Sequence, residues 1–564
     1  MRRGFILVRW RDGAGEARAD RIVRRGARCG LTEVHRDVGS RILADPREVT
    51  RADRILVLGR LVGELGYVGA EAGNDPELAA RVLVANCWGN YVAVLMGRDG
   101  IRLLPDPSGA GRVHVCGDRD LTIASDVIDP AIIRAAGLRT DVVAEAMSGG
   151  LLDPTTMILG SPLRGVECIP PGTLVHLDGT VPDLQVWSPG MLRGAEPRQS
   201  LAEAVDSAVA ALRGRHPLVQ VSGGLDSSIV LASAAAHGSV TGFTVASAAG
   251  DVDESSLARD ACSRVQAPLV IAVDEALPAL TSFMDAPQVA QPFLHGLDDV
   301  FDRQMTDTVH RLGCDRILTG QGGDAVFMQP RSLAPTVDRY ADLGLRGLLA
   351  GIADDARRNG SSIWEPLITA LLHRRSGCRP PDPAPLTPHL LTRDARESAR
   401  RDHHPWTRER DARRPGRELQ SRLLANATVV HTPRPNSCGV PIVHPLLAQP
   451  VLEVVLGLPT WTLASGPHDR GHARREFAAR LPRSIAERFF KGQASAYFSR
   501  GVVGQLPELR KRLLDGRLVA MGILDRNALD AVLTREHLAH SADYRSLLFV
   551  ASCEAWAAAW SSVV

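Results

Sequence analysis

The sequence predicts an α/β protein of two units, an α+β sandwich over residues 1–195 followed by a doubly wound parallel sheet over 196–564. Three observations predict it. The first third is a succession of short β-type runs broken by turn chemistry. From residue 198 onward, apolar runs ending in glycine turns alternate with helical periodicity. Two of those glycine turns, far apart in the chain, carry an aspartate.

At 564 residues the chain is too long for one core, so two units, or three, are expected. A hydrophobic content of 45%, a net charge of +2 and a mean hydropathy of -0.04 describe an ordinary globular chain. The near-neutral charge argues against general nucleic-acid binding. No stretch reaches the length of a membrane span, and the apolar run after Arg2 and Arg3 is too short for a signal peptide, so cytoplasm is the expected compartment. The nine cysteines (Cys29, Cys87, Cys116, Cys168, Cys262, Cys314, Cys378, Cys438 and Cys553) are odd in number and lack CxxC or CxxH spacing. They read as reduced, mostly buried thiols with neither a disulfide framework nor a zinc site. Of 66 basic residues only Lys491 and Lys511 are lysines. Either chance spared them, or a retained lysine marks a need for a compact charge with rotatable donors.

In the first unit, residues 5–8, 54–58, 91–96, 102–104, 113–115, 121–124 and 173–177 read as strands, with helical patches at 75–86 and 142–148. An amphipathic helix at 198–213 then leads into the run Leu218–Val221. Ser222-Gly223-Gly224 follows, and a helix from about 225 to 237. The glycines permit a tight turn whose N–H groups converge with those of the helix start, which makes an anion site. Asp226 would repel that anion unless a divalent cation lay between them, so it is a candidate Mg2+ ligand. Ser222, Ser227 and Ser228 offer hydroxyls. The spacing is neither that of a Walker A loop nor GxGxxG. The alternative is a structural turn with a capping serine and a first-turn aspartate.

Strands at 240–245 and 268–273, with a helix at 255–265 opened by Asp253 and Glu254, complete a βαβαβ pattern. These acids suit a helix N-terminus with or without chemistry. The run at 316–318 ends in the second turn, Thr319-Gly-Gln-Gly-Gly-Asp324, where Asp324 is a second candidate metal ligand and Gln321 a candidate substrate contact. The stretch near 376–417 is rich in proline and arginine and is expected to be a solvated insertion or lid, or a contact for a peptide; His403 and His404 lack further spaced ligands for a metal. Helices are expected at 419–425 and 451–458. The last stretch, with Trp556 and Trp560 on an apolar stripe, is expected to close the core.

The run Ser222-Gly-Gly-Leu-Asp-Ser227 resembles the signature of the ATP-pyrophosphatase superfamily, in its asparagine-synthetase-like branch. In that branch the loop holds the pyrophosphate of ATP while a carboxylate attacks the α-phosphorus, giving an acyl-adenylate and then an amide. The resemblance implies ATP and Mg2+ as cofactors, with Ser222, Gly223, Gly224, Asp226, Ser227, Gly322 and Gly323 at the pyrophosphate and Asp226 and Asp324 sharing Mg2+. Gly320–Asp324 matches a GxGGDE pattern with Ala325 in place of the last acid. Asp469–Phe477, Leu481-Pro482, Ile485 and Arg488-Phe-Phe-Lys491-Gly492 resemble the segment whose lysine reaches the adenylate, which makes Lys491 a catalytic candidate beside Asp226 and Asp324.

The first unit carries a second resemblance. Trp88–Met96, Leu103–Gly109, Leu121–Ser125 and Ile169–Gly172 are similar to runs of the branch's glutaminase domain, an Ntn-type sandwich. Such glutaminases use an N-terminal cysteine whose α-amine is the base. Arg2 stands at the second position and Cys29 is internal, so a glutaminase-like fold without glutaminase activity, and without an ammonia tunnel, is expected. Pro445-Leu-Leu-Ala-Gln-Pro450 lacks the aspartate of the PFLD run of asparagine synthetases and resembles lasso-peptide cyclases. That implies macrolactam formation in a linear core peptide, with leader-peptidase and leader-binding proteins as partners. A β-lactam synthetase acting on a small β-amino acid, and a non-catalytic scaffold, are the alternatives.

Overall fold

The computed structural model describes residues 4–126, 132, 137–149, 161–179, 182–247, 254–274, 289–292, 299–329, 332–360, 362–364, 367–368, 388–399, 404–408, 411, 413–432, 439–489 and 495–561. The first third holds twelve described strands: β1 (Phe5–Trp10), β2 (Thr32–Asp37), β3 (Ser40–Ala44), β4 (Val49–Ala52), β5 (Ile55–Val62), β6 (Trp88–Gly97), β7 (Gly100–Pro105), β8 (His114–Gly117), β9 (Leu121–Ser125), β10 (Val166–Cys168), β11 (Thr173–His176) and β12 (Leu184–Gln185). They form two antiparallel sheets, ordered β10-β8-β9-β1-β3-β2 and β12-β11-β7-β6-β5-β4.

Alternation along each strand decides which face is buried where. Leu7, Ile42, Leu56, Leu58, Val92, Val94 and Leu103 meet between the sheets. Their neighbours Ile6, Val8, Leu43 and Ile123 face outward under Ala19 and Ile22 of the helix Gly13–Arg28, whose start is capped by Asp12 accepting from Gly15 N. On the other sheet Ile55, Val57, Ala93 and Leu95 lie under the helices Leu65–Ala72 and Pro76–Asn86. The unit is therefore an α-β-β-α sandwich.

The second unit is built on a five-stranded parallel sheet of β13 (Pro217–Gln220), β14 (Thr241–Ser247), β15 (Leu269–Asp274), β16 (Arg316–Leu318) and β17 (Ile442–Val443), ordered β15-β14-β13-β16-β17. The chain winds outward from β13 in both directions, so β13 and β16 flank the point where the strand order reverses. A Ser200–Glu203 capping box starts the helix Leu201–Leu212, which packs its Leu201, Val205 and Val209 into the cluster that also covers β5 and β6. The two units thus share core. Gln449 Nε2 donates to Val84 O at 2.8 Å, and Arg112 to Thr428 O at 2.9 Å. The last helix, Tyr544–Ser561, returns to the first unit: Trp556 and Trp560 share a cluster with Ile6 and Val8, and both indoles donate to Val289 O.

The structure departs from the sequence expectation in several places, and two of them bear on the packing of the units. The helix Gly13–Arg28 and the strands β2–β4 were not expected, because the arginines of this stretch mask a narrow apolar stripe. The end of the Pro/Arg-rich stretch near 376–417 is core, not a solvated lid: His404 and Trp406 are fully buried, and Trp406 packs edge-on against Trp187 at 5.3 Å. Much of the rest of that stretch lies outside the described residues. Among the described residues, no helix is long and apolar enough to cross a membrane.

Candidate active site

Both glycine turns leave the carboxyl-terminal edge of the parallel sheet where the strand order reverses, the place at which such sheets open a crevice. After β13, Gly223 adopts a φ of +70° and Gly224 begins the helix Leu225–Ala236. Ser227 Oγ accepts from Ser222 N at 3.1 Å and lies 3.2 Å from Ser222 Oγ, which closes the loop. Ser228 Oγ donates to Gly224 O at 2.8 Å, so its proton is used inside the helix rather than at the turn. After β16, Gly322 leads into the short helix Gly323–Val326, with Asp324 in its first turn.

The two turns touch. A β-carbon on Gly320 would stand 2.4 Å from Ser227 N, and one on Gly323 would stand 2.5 Å from Asp226 Cγ. Only glycine fits that approach, and the approach brings Asp226 and Asp324 to one point. Arg470 lies between them. Its Nη1 donates to Asp226 Oδ2 at 2.8 Å and to Asp324 Oδ1 at 2.8 Å. Arg470 and Asp226 are buried, whereas the Asp324 side chain is 47% exposed.

A second layer holds this arginine. Its Nη2 is 3.4 Å from Asp469 Oδ2, and Arg474 donates to both Asp469 Oδ1 and Asp469 O at 2.8 Å while its Nη1 binds the carbonyls of Ile485 and Ala486. Burial works to lower the pKa of Arg470, but Asp226, Asp469 and Asp324 together outweigh it and the net shift is upward. The backbone at Arg470 is left-handed, φ 55° and ψ 37°, which costs a side-chain-bearing residue about 1–2 kcal/mol. Glycine stands instead at 471, where a β-carbon would strike Ser465 O at 1.7 Å. The chain keeps arginine where the backbone alone would favour glycine.

Around this centre, Arg488 pairs with Glu254 Oε1 at 2.5 Å and reaches Gly223 O at 3.4 Å. Gln321 Oε1 is buried and finds no hydrogen-bond partner among the described residues, while Gln321 N donates to Thr319 Oγ1. Thr319 Oγ1 also meets His444 Nδ1 at 2.7 Å. The run Pro445–Pro450 clamps the second turn to the sandwich: Leu447 seats against Gly322, and Gln449 holds Val84 O. Lys491 lies outside the described residues, and Lys511 is exposed on the helix Leu506–Leu514.

A separate cavity of about 320 Å³ lies between the sandwich and the parallel sheet, lined by Arg60, Asn90, Arg112, His114, Gln291 and His431 among others. Burial, with Arg112 nearby, pushes His114 down to about 3, and burial, His444 and Arg112 hold His431 well below the usual imidazole range, so both rings are neutral.

Geometry therefore unites Ser222, Gly223, Gly224, Asp226, Ser227, Gln321, Gly322, Gly323 and Asp324. It adds Arg470, Asp469 and Arg474, which lie in the family-like run Asp469–Phe477 but to which the sequence assigned no role. Among the described residues, no group of three or more His, Cys, Asp or Glu is placed to hold a metal. Two convergent carboxylates already drawn onto one cation do suit Mg2+, which takes one or two carboxylates and completes its shell with phosphate and water. The sequence profile of the asparagine synthase family matches residues 198–558, a span that includes both glycine turns and Arg470. No curated protein matches the chain.

Proposed function

The chain belongs to the asparagine synthase family, and from that premise we propose that it is an ATP-dependent macrolactam synthetase acting on a linear peptide of the lasso class. Family membership supports ATP-dependent amide-bond formation in general. The convergence of Asp226 and Asp324 on one cation, between two glycine turns at the edge of the parallel sheet, is the observation that carries the reading.

In this reading the N–H groups of the Gly223-Gly224 and Gly322-Gly323 turns, with Ser222 and Ser227, hold the pyrophosphate of ATP. Asp226 and Asp324 hold Mg2+, whose charge offsets that of the phosphates. A side-chain carboxylate of the peptide attacks the α-phosphorus, the bond to the β-phosphate breaks, and pyrophosphate leaves. The peptide's N-terminal amine then attacks the acyl carbon of the adenylate, AMP leaves, and the amine gives up a proton. Lys491 is assigned to the charge that builds on the acyl oxygen and α-phosphate. Gln321, whose carbonyl oxygen has no partner among the described residues, is the group offered to the substrate.

An amine within the substrate is favoured over ammonia released from glutamine. The described cysteines of the first unit are all internal and lack an α-amine, and burial pushes the thiols of Cys87 and Cys168 up. Tethering of amine and acyl group in one peptide supplies the effective concentration that a channel would otherwise provide. The Pro445–Pro450 run supports the lasso class by resemblance, and leader-peptidase and leader-binding proteins are the partners this implies.

The test is a synthetic linear peptide with a free N-terminus and an internal Asp or Glu, incubated with protein, ATP and Mg2+ and followed by mass spectrometry. The expected result is loss of one water from the peptide with equimolar AMP and pyrophosphate. Pyrophosphate exchange stimulated only by a small β-amino acid would replace this reading with a β-lactam synthetase, and no exchange with any acid would leave a scaffold.

A further inference from the structure

We propose that Arg470 is an internal rival of the divalent metal: its guanidinium and Mg2+ compete for the same oxygens of Asp226 and Asp324, so that the protein takes up metal only together with nucleotide. This rests on the reading that the site binds ATP.

Three observations carry it. Nη1 of Arg470 is 2.8 Å from an oxygen of each aspartate, so those oxygens are no further apart than the two bonds allow, and a single cation spans them. A guanidinium and a metal ion cannot hold the same carboxylate oxygens together, since one must leave before the other can bind directly. Arg470 is also the left-handed residue of its turn, with the glycine one position later, so the backbone conformation is kept for the side chain it aims. Finally, the arginine has somewhere to go. Asp469, itself fixed by Arg474, already contacts Nη2 and retains the guanidinium when Nη1 is released. A released Nη1 stays beside the Gly322-Gly323 turn, where a triphosphate would supply new acceptors.

The consequence is order of binding. Free Mg2+ must displace a buried, tethered cation and finds little gain, whereas Mg2+ arriving with a triphosphate brings anionic oxygens that satisfy the displaced arginine. The experiment titrates wild-type protein and Arg470→Gln with MgCl2 alone, ATP alone, and both, read by thermal shift and by calorimetry. Wild type is expected to show no shift with Mg2+ alone and a clear one with Mg2+ and ATP. Arg470→Gln is expected to gain direct Mg2+ binding, at least about tenfold tighter than wild type, because the two charge-assisted bonds to Asp226 and Asp324 no longer oppose the metal. Equal metal affinity in the two proteins overturns the proposal, as does tight Mg2+ binding by wild type without nucleotide. If Arg470→Gln does not fold, Arg470→Lys is titrated with Mn2+ by water proton relaxation. This variant keeps the charge without the fork and is expected to bind metal more tightly than wild type; unchanged affinity overturns the idea. Should neither protein bind ATP, the functional reading fails, and the metal titration still decides the role of Arg470.

Discussion

Glycine turns that carry an aspartate occur in both units, look alike in sequence and differ in how the charge is satisfied. In the sandwich, the turn after β7 buries Asp106 completely and surrounds it with donors: Ser108 N at 2.8 Å, Gly111 N at 2.6 Å, Tyr91 N at 3.3 Å and the Ser108 hydroxyl. In the parallel-sheet unit, Asp226 and Asp324 are drawn onto a side-chain cation that must be held in strained backbone. Backbone amides cannot leave, so Asp106 is locked. A guanidinium on a flexible stem can leave, so Asp226 and Asp324 are available to another cation. An acid in a glycine turn is structural or functional according to whether its partners can be exchanged.

Substitution at the exchangeable pair should have the largest effect. Asp226→Asn removes a charge without changing shape and is expected to lower AMP and pyrophosphate formation by at least about 10²–10³-fold, with far-ultraviolet circular dichroism and melting temperature close to wild type. Turnover within a fewfold of wild type would remove Asp226 from the chemistry.

The locked turn should respond in the opposite way. Asp106→Ala strands two buried amides, a half-buried one and one hydroxyl, and a loss of about 3 kcal/mol in unfolding free energy is expected, read by chemical denaturation. The nucleotide-dependent thermal shift should persist in the protein that remains folded. Loss of nucleotide binding at unchanged stability would erase the contrast between the two turns.

The parts legible in sequence were those whose cause is local. SGGLDS and GQGGD announce themselves because close approach of two backbones demands glycine at fixed places, and the parallel sheet follows from the alternation around them. Arg470 lies in a run that resembles the family's, but its role was illegible for the opposite reason. It meets Asp226 across 244 positions, and the turn that aims it carries its glycine at 471, so the left-handed residue has no glycine to mark it. Trp406 was misjudged because the proline and arginine around it suggest solvent, while its partner Trp187 lies in the other unit's last segment. The two-residue strand β17 is too short for any periodicity to show.

A third acid completes the comparison, because its charge is removed by a proton rather than by amides or arginine. Asp338, in the helix Ala334–Asn359, is buried and accepts from Gly416 N at 2.8 Å and Thr460 Oγ1 at 2.6 Å; burial pushes its pKa up to about 7, against the pull of those two bonds and of Arg417. Its folded value thus lies above the unfolded one of 3.8, and the native state binds more protons than the unfolded state between about pH 4 and pH 7. Asp106, pushed to about 6, acts in the same direction over a narrower window. The stability these groups contribute is present at low pH and is lost as pH rises through their folded values. Asp338→Asn removes the titration while keeping the geometry, since the amide oxygen accepts from Gly416 N and the amide N–H donates to Thr460 Oγ1. Melting temperature measured from pH 5 to pH 8 should therefore decline less steeply in the variant than in wild type. Parallel curves would mean that Asp338 is already ionised at pH 5, its charge met by the Gly416 amide and the Thr460 hydroxyl.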